Sequence, residues 1–202
     1  MDKTHLLASL RKQGISEKTI SAFAAVEREH FITQMMKFLA YEDNALPIGH
    51  GQTISQPYTI AVMLDLLHLK KDQKVLEVGC GSGYVLALIS EMVGENGKVY
   101  GLDVIRDLIE RSRKSLSRYK NVQALYGDGR FGMYEKAPFD RILISAAITS
   151  IPDDLLAQLK DEGILVAPLG SDTMQTLVAF KKSKEGLSIV GQIPGFVFVP
   201  FV

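Results

Sequence analysis

Three carboxylates and a short run of hydroxyls carry the chemistry legible in this chain. Glu77 stands two residues before Gly79, and Gly79, Gly81 and Gly83 alternate directly after the β-branched apolar run Val75 to Val78. Alternating glycines let a chain leave a buried parallel strand in a sharp turn and approach a ligand with no Cβ in the way. Asp103 closes a second apolar run, Lys98 to Leu102, and Asp128 lies between Gly127 and Gly129 after a third, Val122 to Tyr126. Carboxylates at successive strand ends can accept hydrogen bonds from ribose hydroxyls and from an exocyclic amine, which together describe a nucleoside. The same residues also fit plainer roles: Asp103 can cap a following helix, and Asp128-Gly129 can be an ordinary turn. Upstream, Thr53-Ile54-Ser55 brings hydroxyls to the edge of another apolar run, Tyr58 to Leu67.

The dinucleotide fingerprint Gly-x-Gly-x-x-Gly fails in both registers, because Tyr84 and Leu86 stand where its last glycine is required. Nicotinamide and flavin dinucleotides are disfavoured. An acidic residue ahead of three alternating glycines instead resembles the first motif of class I S-adenosylmethionine-dependent methyltransferases. That cofactor has no pyrophosphate to cradle and carries an ammonium and a sulfonium, so a carboxylate near the turn is useful where a phosphate site would avoid one. The resemblance implies a cofactor site made of Glu77, Gly79, Gly81, Gly83, Asp103, Asp128 and Gly129. The fourth strand, Asp140 to Ser145, ends in Ala146-Ala147, small residues that leave room for a reacting methyl group. No Asn/Asp-Pro-Pro-Tyr motif for an exocyclic amine follows it, and methylation of base nitrogens loses weight accordingly.

The segment Leu46 to Ala61 contains Gly51-Gln52-Thr53-Ile54-Ser55-Gln56-Pro57 and follows Arg28-Glu29-His30-Phe31 and Ala40-Tyr41-Glu42-Asp43. With Gly127-Asp128-Gly129-Arg130, Ala137-Pro138-Phe139-Asp140, Pro168-Leu169-Gly170, Gln175 and the final Phe198-Val199-Pro200-Phe201-Val202, it resembles the protein-L-isoaspartate (D-aspartate) O-methyltransferase family from about Arg28 onward. The resemblance implies a Rossmann-like class I methyltransferase fold and a cytoplasmic repair enzyme. The implied reaction is methylation of the α-carboxylate of L-isoaspartyl residues, with D-aspartyl as a second acceptor. It makes Ser55 the catalytic hydroxyl, adds Thr53 and Gln175 to the cofactor site, and sets Ile54, Ser55 and His50 against substrate. A small-molecule O-methyltransferase on the same scaffold is the alternative. Two departures stand out: Ile148-Thr149-Ser150 replaces a further alanine and proline, and Asp103 occupies a position that is often glutamate.

A carboxylate of ordinary pKa is already ionised near neutral pH and needs no base to unmask it. Alignment with the methyl–sulfur bond matters more, at about 7–11 kcal/mol in favourable cases against about 1.5–3 for one hydrogen bond to a charged group. Ser55 therefore reads as a positioner. Ser55-Gln56-Pro57 before an apolar run also reads as a helix N-cap. His50, flanked by glycines, fits a loop or a substrate contact, and His5, His30 and His68 show no metal-ligand pairing.

With 202 residues, 47% of them hydrophobic, the chain can bury one substantial core and is expected to be a single domain, 1–202. Acidic and basic residues balance at 23 each, which argues against a nucleic-acid-binding surface; the cluster Arg106, Arg111, Arg113, Lys114, Arg118 and Lys120 reads as the solvated face of a helix. A single Cys80 excludes both a disulfide framework and a three-cysteine iron–sulfur site. No apolar run is long enough to span a bilayer, so a cytoplasmic monomer without membrane or metal is the expectation.

These side chains need a scaffold that sets strand ends side by side. Alternating strands and helices from Val75 to Pro168 predict a doubly wound, mostly parallel α/β sheet. Thr176 to Lys182, Leu187 to Gly191 and Phe196 to Phe201 read as strands of an antiparallel edge. Residues 1–45 read as a helical cap, with Ser16 opening a helix to about Val26, folded over the sheet's carboxyl edge as a lid; residues 46–202 form the cofactor- and substrate-binding core.

Overall fold

The computed structural model of the protein describes residues 2–171 and 173–201. Val202, the last residue of the closing Phe198-to-Val202 run, lies outside the described residues.

Five short runs rich in Val, Ile and Leu pair in parallel at the centre: β3 (Lys74–Val78), β4 (Lys98–Asp103), β5 (Val122–Tyr126), β6 (Phe139–Ile144) and β7 (Leu159–Ser171). The near-continuous apolar composition of β3, β4 and β6 follows from burial on both faces, whereas β5, at the sheet edge, buries only Ala124. β8 (Met174–Ser183) and β9 (Gly186–Phe196) extend the sheet antiparallel, giving the order β5-β4-β3-β6-β7-β8-β9. The chain leaves β3 for β4 and β5 on one side and returns to β6 and β7 on the other, so strand order reverses at the β3/β6 pair. A crevice opens outside the carboxyl ends of the strands at such a reversal, and ligands bind there.

Helices α3 (Pro57–Leu67), α4 (Tyr84–Val93) and α5 (Arg106–Ser115) contribute to the larger core cluster, while α6 (Asp153–Gln158) packs with the smaller one. α5 buries only Leu108, Ile109 and Ser112 and turns most of its charges outward, as the basic cluster suggested; it ends at Ser115, where Leu116 caps it, so Arg118 and Lys120 of that cluster lie beyond the helix. α1 (Lys3–Lys12) and α2 (Glu17–Ala25) lie outside α3 and α4, with Ser16 capping α2 as expected. α2 runs from the end of α3, where Thr19 Oγ1 donates to Asp65 at 2.6 Å, to the start of α4, where the Phe23 and Tyr84 rings meet at 6.0 Å. The carboxyl edge is covered not by these two helices but by the segment after them. Two 3₁₀ turns lead into a small hairpin, β1 (Leu46–Gly49) and β2 (Gln52–Ile54), whose apolar Ile48 and Ile54 are buried.

The expected closing strand Phe196 to Phe201 is not one: β9 takes in Phe196 and ends, and Pro200 makes only a single bridge to Ala147. Gly195 turns the backbone at φ 94°, and a proline has no N–H to continue a ladder. Residues 197–201 cross the carboxyl edge instead.

Candidate active site

The glycine turn folds as its spacing requires. Gly79, Gly81 and Gly83 have φ of 78°, 47° and 84°, left-handed values that a side chain rarely adopts. The Gly79 and Cys80 N–H groups both donate to Leu102 O, at 2.8 and 3.0 Å, which ties the turn to β4. Asp103 completes that tie: its Oδ2 accepts from Gly81 N and its Oδ1 from Ile105 N, each at 2.9 Å. One carboxylate thus sets the glycine turn and the approach to α5 while keeping lone pairs for a ligand.

Around this turn lies a cavity walled by Ile48, Thr53, Gly79, Gly81, Asp103 and Gly129, with Phe201 closing one side. Close approach explains Gly129: a Cβ there would stand 2.0 Å from Val78 Cγ1. A second cavity, walled by Thr53, Ser55, Thr59, Ser145 and the Phe196–Val199 backbone segment, adjoins the first. Thr53, Ser145 and Val199 border both. A ligand in one cavity therefore faces a ligand in the other across those three residues.

Glu77 is 1% exposed behind the turn. Its Oε1 accepts from Ser145 Oγ at 2.8 Å, and its Oε2 is buried without a partner among the described residues. Burial pushes the carboxyl pKa up to about 8; the Ser145 hydrogen bond opposes the rise and the Asp103 charge adds to it. Glu77 thus lies behind the turn and lines neither cavity, whereas Asp103 is half-buried, lines the first cavity and is already bonded to backbone.

Ser55 borders the second cavity, and its hydroxyl has no hydrogen-bond partner among the described residues. It does not cap α3. Pro57 occupies the first helical position and makes Gln56 the N-cap residue, and Asp43, from a distant segment, accepts from Tyr58 N at 2.8 Å and from Gln56 Nε2 at 3.1 Å. The capping alternative for Ser55 is corrected by that remote carboxylate, which leaves the hydroxyl unspent.

Other expected residues lie further back. Gly83 caps the start of α4, where a Cβ would meet Leu116 at 2.8 Å. Asp128 turns outward onto Arg130, with contacts down to 2.6 Å, and that guanidinium holds its carboxyl below the usual carboxylate range. Gln175 is 1% exposed and bonded at both ends, donating to Ser171 O and accepting from Phe198 N at 2.8 Å, so it holds the 196–199 segment rather than facing a cavity. Ile54 belongs to the core, as an apolar side chain at the buried position of a strand must. His50 sits at the hairpin tip with φ 56° and pairs with Asp107 at 2.8 Å, outside both cavities.

Ser145, Val199 and Phe201 went unassigned in the sequence. Ser145 directly follows β6 beside the topological reversal, a position that could have singled it out; the other two were visible only as part of a motif.

The family model described as protein-L-isoaspartate(D-aspartate) O-methyltransferase matches residues 1–202. A protein-L-isoaspartate O-methyltransferase of Methanothrix thermoacetophila is 43% identical over 204 residues, covering 100% of this chain and 95% of the relative. One from Vibrio atlanticus is 44% identical over 196 residues, covering 95% and 92%. Among solved structures, a protein-L-isoaspartate O-methyltransferase superposes with a TM-score of 0.90 at 30% identity, covering 98% of this chain and 65% of that one. A Plasmodium falciparum protein assigned the same activity, solved in complex with S-adenosyl-L-homocysteine, gives a TM-score of 0.85 at 25% identity and covers 100% and 99%.

Proposed function

Because the chain belongs to the protein-L-isoaspartate(D-aspartate) O-methyltransferase family, we propose that its two adjoining cavities carry a methyl group from S-adenosyl-L-methionine to the α-carboxylate of an L-isoaspartyl residue in a damaged protein. The observation that carries this reading is the pairing itself. A glycine-and-carboxylate cavity shares a wall with one lined by an unspent hydroxyl, and the shared wall is where a transferred group would pass.

The residues of the first cavity suit the cofactor. Asp103 keeps acceptor capacity for ribose hydroxyls after bonding Gly81 and Ile105, and the bare backbone of Gly79, Gly81 and Gly129 admits close approach. Glu77, behind the turn, has one oxygen without a partner among the described residues and a carboxyl pKa pushed up to about 8 by burial; a cationic ligand close to it favours its charged form, and an anionic one does not. When bound, S-adenosyl-L-methionine supplies an electrophilic methyl carbon on sulfur.

On the other side, no proton has to be removed, since a free α-carboxylate is ionised near neutral pH. Ser55 donates its hydroxyl to that carboxylate and orients one oxygen; Thr53, on the shared wall, limits how the two ligands can lie against each other. The Phe196–Val199 segment, held by Gln175, covers the acceptor and keeps water away. Gly83 and Ile54 support the turn and hairpin from behind, while Asp128 is held outward by Arg130. The ester formed in this way can close to a succinimide, the neighbouring backbone nitrogen displacing methanol, and the ring can reopen by adding water, which is the repair. The same reading makes residues 1–202 a single domain acting as a cytoplasmic monomer on peptides and proteins, and the balance of 23 acidic against 23 basic residues supports acceptors other than nucleic acid. D-aspartyl residues, which present a similarly displaced carboxylate, are a second acceptor class.

The test is methyl incorporation into an isoaspartyl peptide and its normal aspartyl twin. Strong preference for the isomerised peptide is the expected result. Equal labelling of both, or labelling of small carboxylic acids alone, would turn the assignment toward a small-molecule O-methyltransferase.

A further inference from the structure

Arg28 is fully buried, and its four hydrogen bonds all end on backbone carbonyls. Nη1 donates to Ala40 O at 2.8 Å and Glu42 O at 3.3 Å; Nη2 donates to Asn44 O and Ser55 O, each at 3.0 Å. Nε is buried with no partner among the described residues. Burial pushes the guanidinium pKa down, while Tyr84, Asp43 and Tyr41 act in the opposite sense. Taking a cation out of water is costly, and carbonyl dipoles repay it only where the geometry holds them in place.

All four acceptors lie between residues 40 and 55, which lead to the cavity wall. Positions 40–45 form neither helix nor strand, so their carbonyls depend on partners outside regular structure. Arg28 is that partner for Ala40 and Asn44, shares the Glu42 carbonyl with Asn44 N, and ends its reach at Ser55. On the far side of Ser55, Asp43 fixes the next turn through Tyr58 N and Gln56 Nε2. The Ser55 backbone is thus clamped from two directions while its hydroxyl stays unbonded at the cavity.

We propose that Arg28 is a positioning residue for the acceptor: it fixes the Ser55 backbone so that the free hydroxyl meets the acceptor carboxylate, and it leaves the cofactor cavity untouched. The inference rests on the isoaspartyl reading above. A planar guanidinium fork spreads donors over four carbonyls, and a lysine ammonium, a compact point charge, cannot span them.

The experiment uses the full chain with R28K, R28M, S55A and the R28K/S55A double variant. Calorimetry with S-adenosyl-L-homocysteine reads the cofactor side; KM and kcat for an isoaspartyl peptide read the acceptor side. Expected for R28K is an acceptor KM raised about tenfold or more, a smaller change in kcat, and by-product affinity within about twofold of wild type. R28K should add little to S55A, because with the hydroxyl gone there is nothing left to position. The inference is overturned by an unchanged KM in R28K, by equal loss on the cofactor and acceptor sides, or by effects that multiply in the double variant. Should R28M fail to fold, R28K and the double variant decide alone. A wild type that methylates the isoaspartyl peptide beside an insensitive R28K removes the Arg28 inference only; a wild type inactive on that peptide removes the reading beneath it as well.

Discussion

The two halves of the site are built by different means. The first cavity takes its floor from the ends of adjacent strands, with Val78, Gly79 and Gly81 at the end of β3, Leu102 to Ile105 at the end of β4, and Ser145 and Ala146 after β6, and is covered by Ile48, Gln52 and Thr53 of the hairpin and by Val199 to Phe201. Sheet hydrogen bonds hold them, and the tie from Gly79 to Leu102 is backbone to backbone. The second cavity joins residues 45–59 to residues 195–199, segments outside the parallel ladder. Single side chains fasten them: Arg28, Asp43 and Gln175 each bond backbone groups 15 to 27 residues away. The floor of the first cavity is set by the sheet; the second cavity is only as well placed as three polar side chains make it.

The sharpest probe of the sheet-built half is Glu77, and its sign can be worked out. The carboxyl pKa is about 8 in the folded chain against 4.5 for the ordinary group, so between those pH values the folded state binds a proton that the unfolded state has lost. The penalty for a buried charge is absent below about 4.5, grows as pH rises, and is complete above about 8. Thermal unfolding of the ligand-free protein should therefore show stability falling across this window by a few kcal/mol relative to Glu77→Gln, which should lack the slope. Binding a cationic ligand beside Glu77 should expel the proton, visible as a heat of binding that changes with the buffer's ionisation enthalpy. Parallel pH profiles for the two proteins would mean that water or a neighbour already relieves the buried oxygen.

Gly129→Ala attacks the same half through packing. Its Cβ would sit 2.0 Å from Val78 Cγ1, inside a wall that has no slack. Overpacking of this kind costs about 1–3 kcal/mol. By-product affinity should drop more than about tenfold, with the acceptor KM at saturating cofactor little changed. Loss confined to the acceptor side would dissolve the distinction between the halves.

On the other half, two variants separate chemistry from fold. Ser55→Ala should lower kcat/KM for the isoaspartyl peptide by about tenfold or more, the value of about 1.5–3 kcal/mol for one hydrogen bond to a charge, without shifting the melting temperature. Asp43→Ala should lower the melting temperature through a lost cap of about 0.5–2 kcal/mol. A melting temperature that falls with Ser55→Ala would return the cap to Ser55.

How each half was built also decides what the sequence could reveal. The glycine turn, Asp103 and the parallel strands announce themselves because their partners are local: a strand, a turn and a helix within a few residues, each dictating the next. Gly129 was legible for the same reason. Asp43 and Arg28 were not, since a carboxylate capping a helix 15 residues on, or a guanidinium reaching a carbonyl 27 residues on, leaves no periodicity to read. Gln175 illustrates the reverse error. A buried amide in a family motif looks like a ligand contact, yet both its ends are taken by backbone that shapes the cavity from behind. The strand expected at Phe196 to Phe201 failed where Gly195 and Pro200 override β-propensity.

The smallest effect concerns His50, at the tip of the hairpin that covers the first cavity. It is half exposed and paired with an exposed Asp107, where solvent screens most of the attraction. The hairpin has firmer anchors: Arg111 Nη2 donates to Ile48 O at 2.8 Å, and the Ile48 side chain is buried. Removing the imidazole leaves both in place, so His50→Ala should change kcat/KM for the isoaspartyl peptide less than about twofold and by-product affinity no more than that. A loss of about tenfold confined to the peptide would bring His50 into contact with the acceptor, and the hairpin tip would then belong to the half of the site that single side chains assemble.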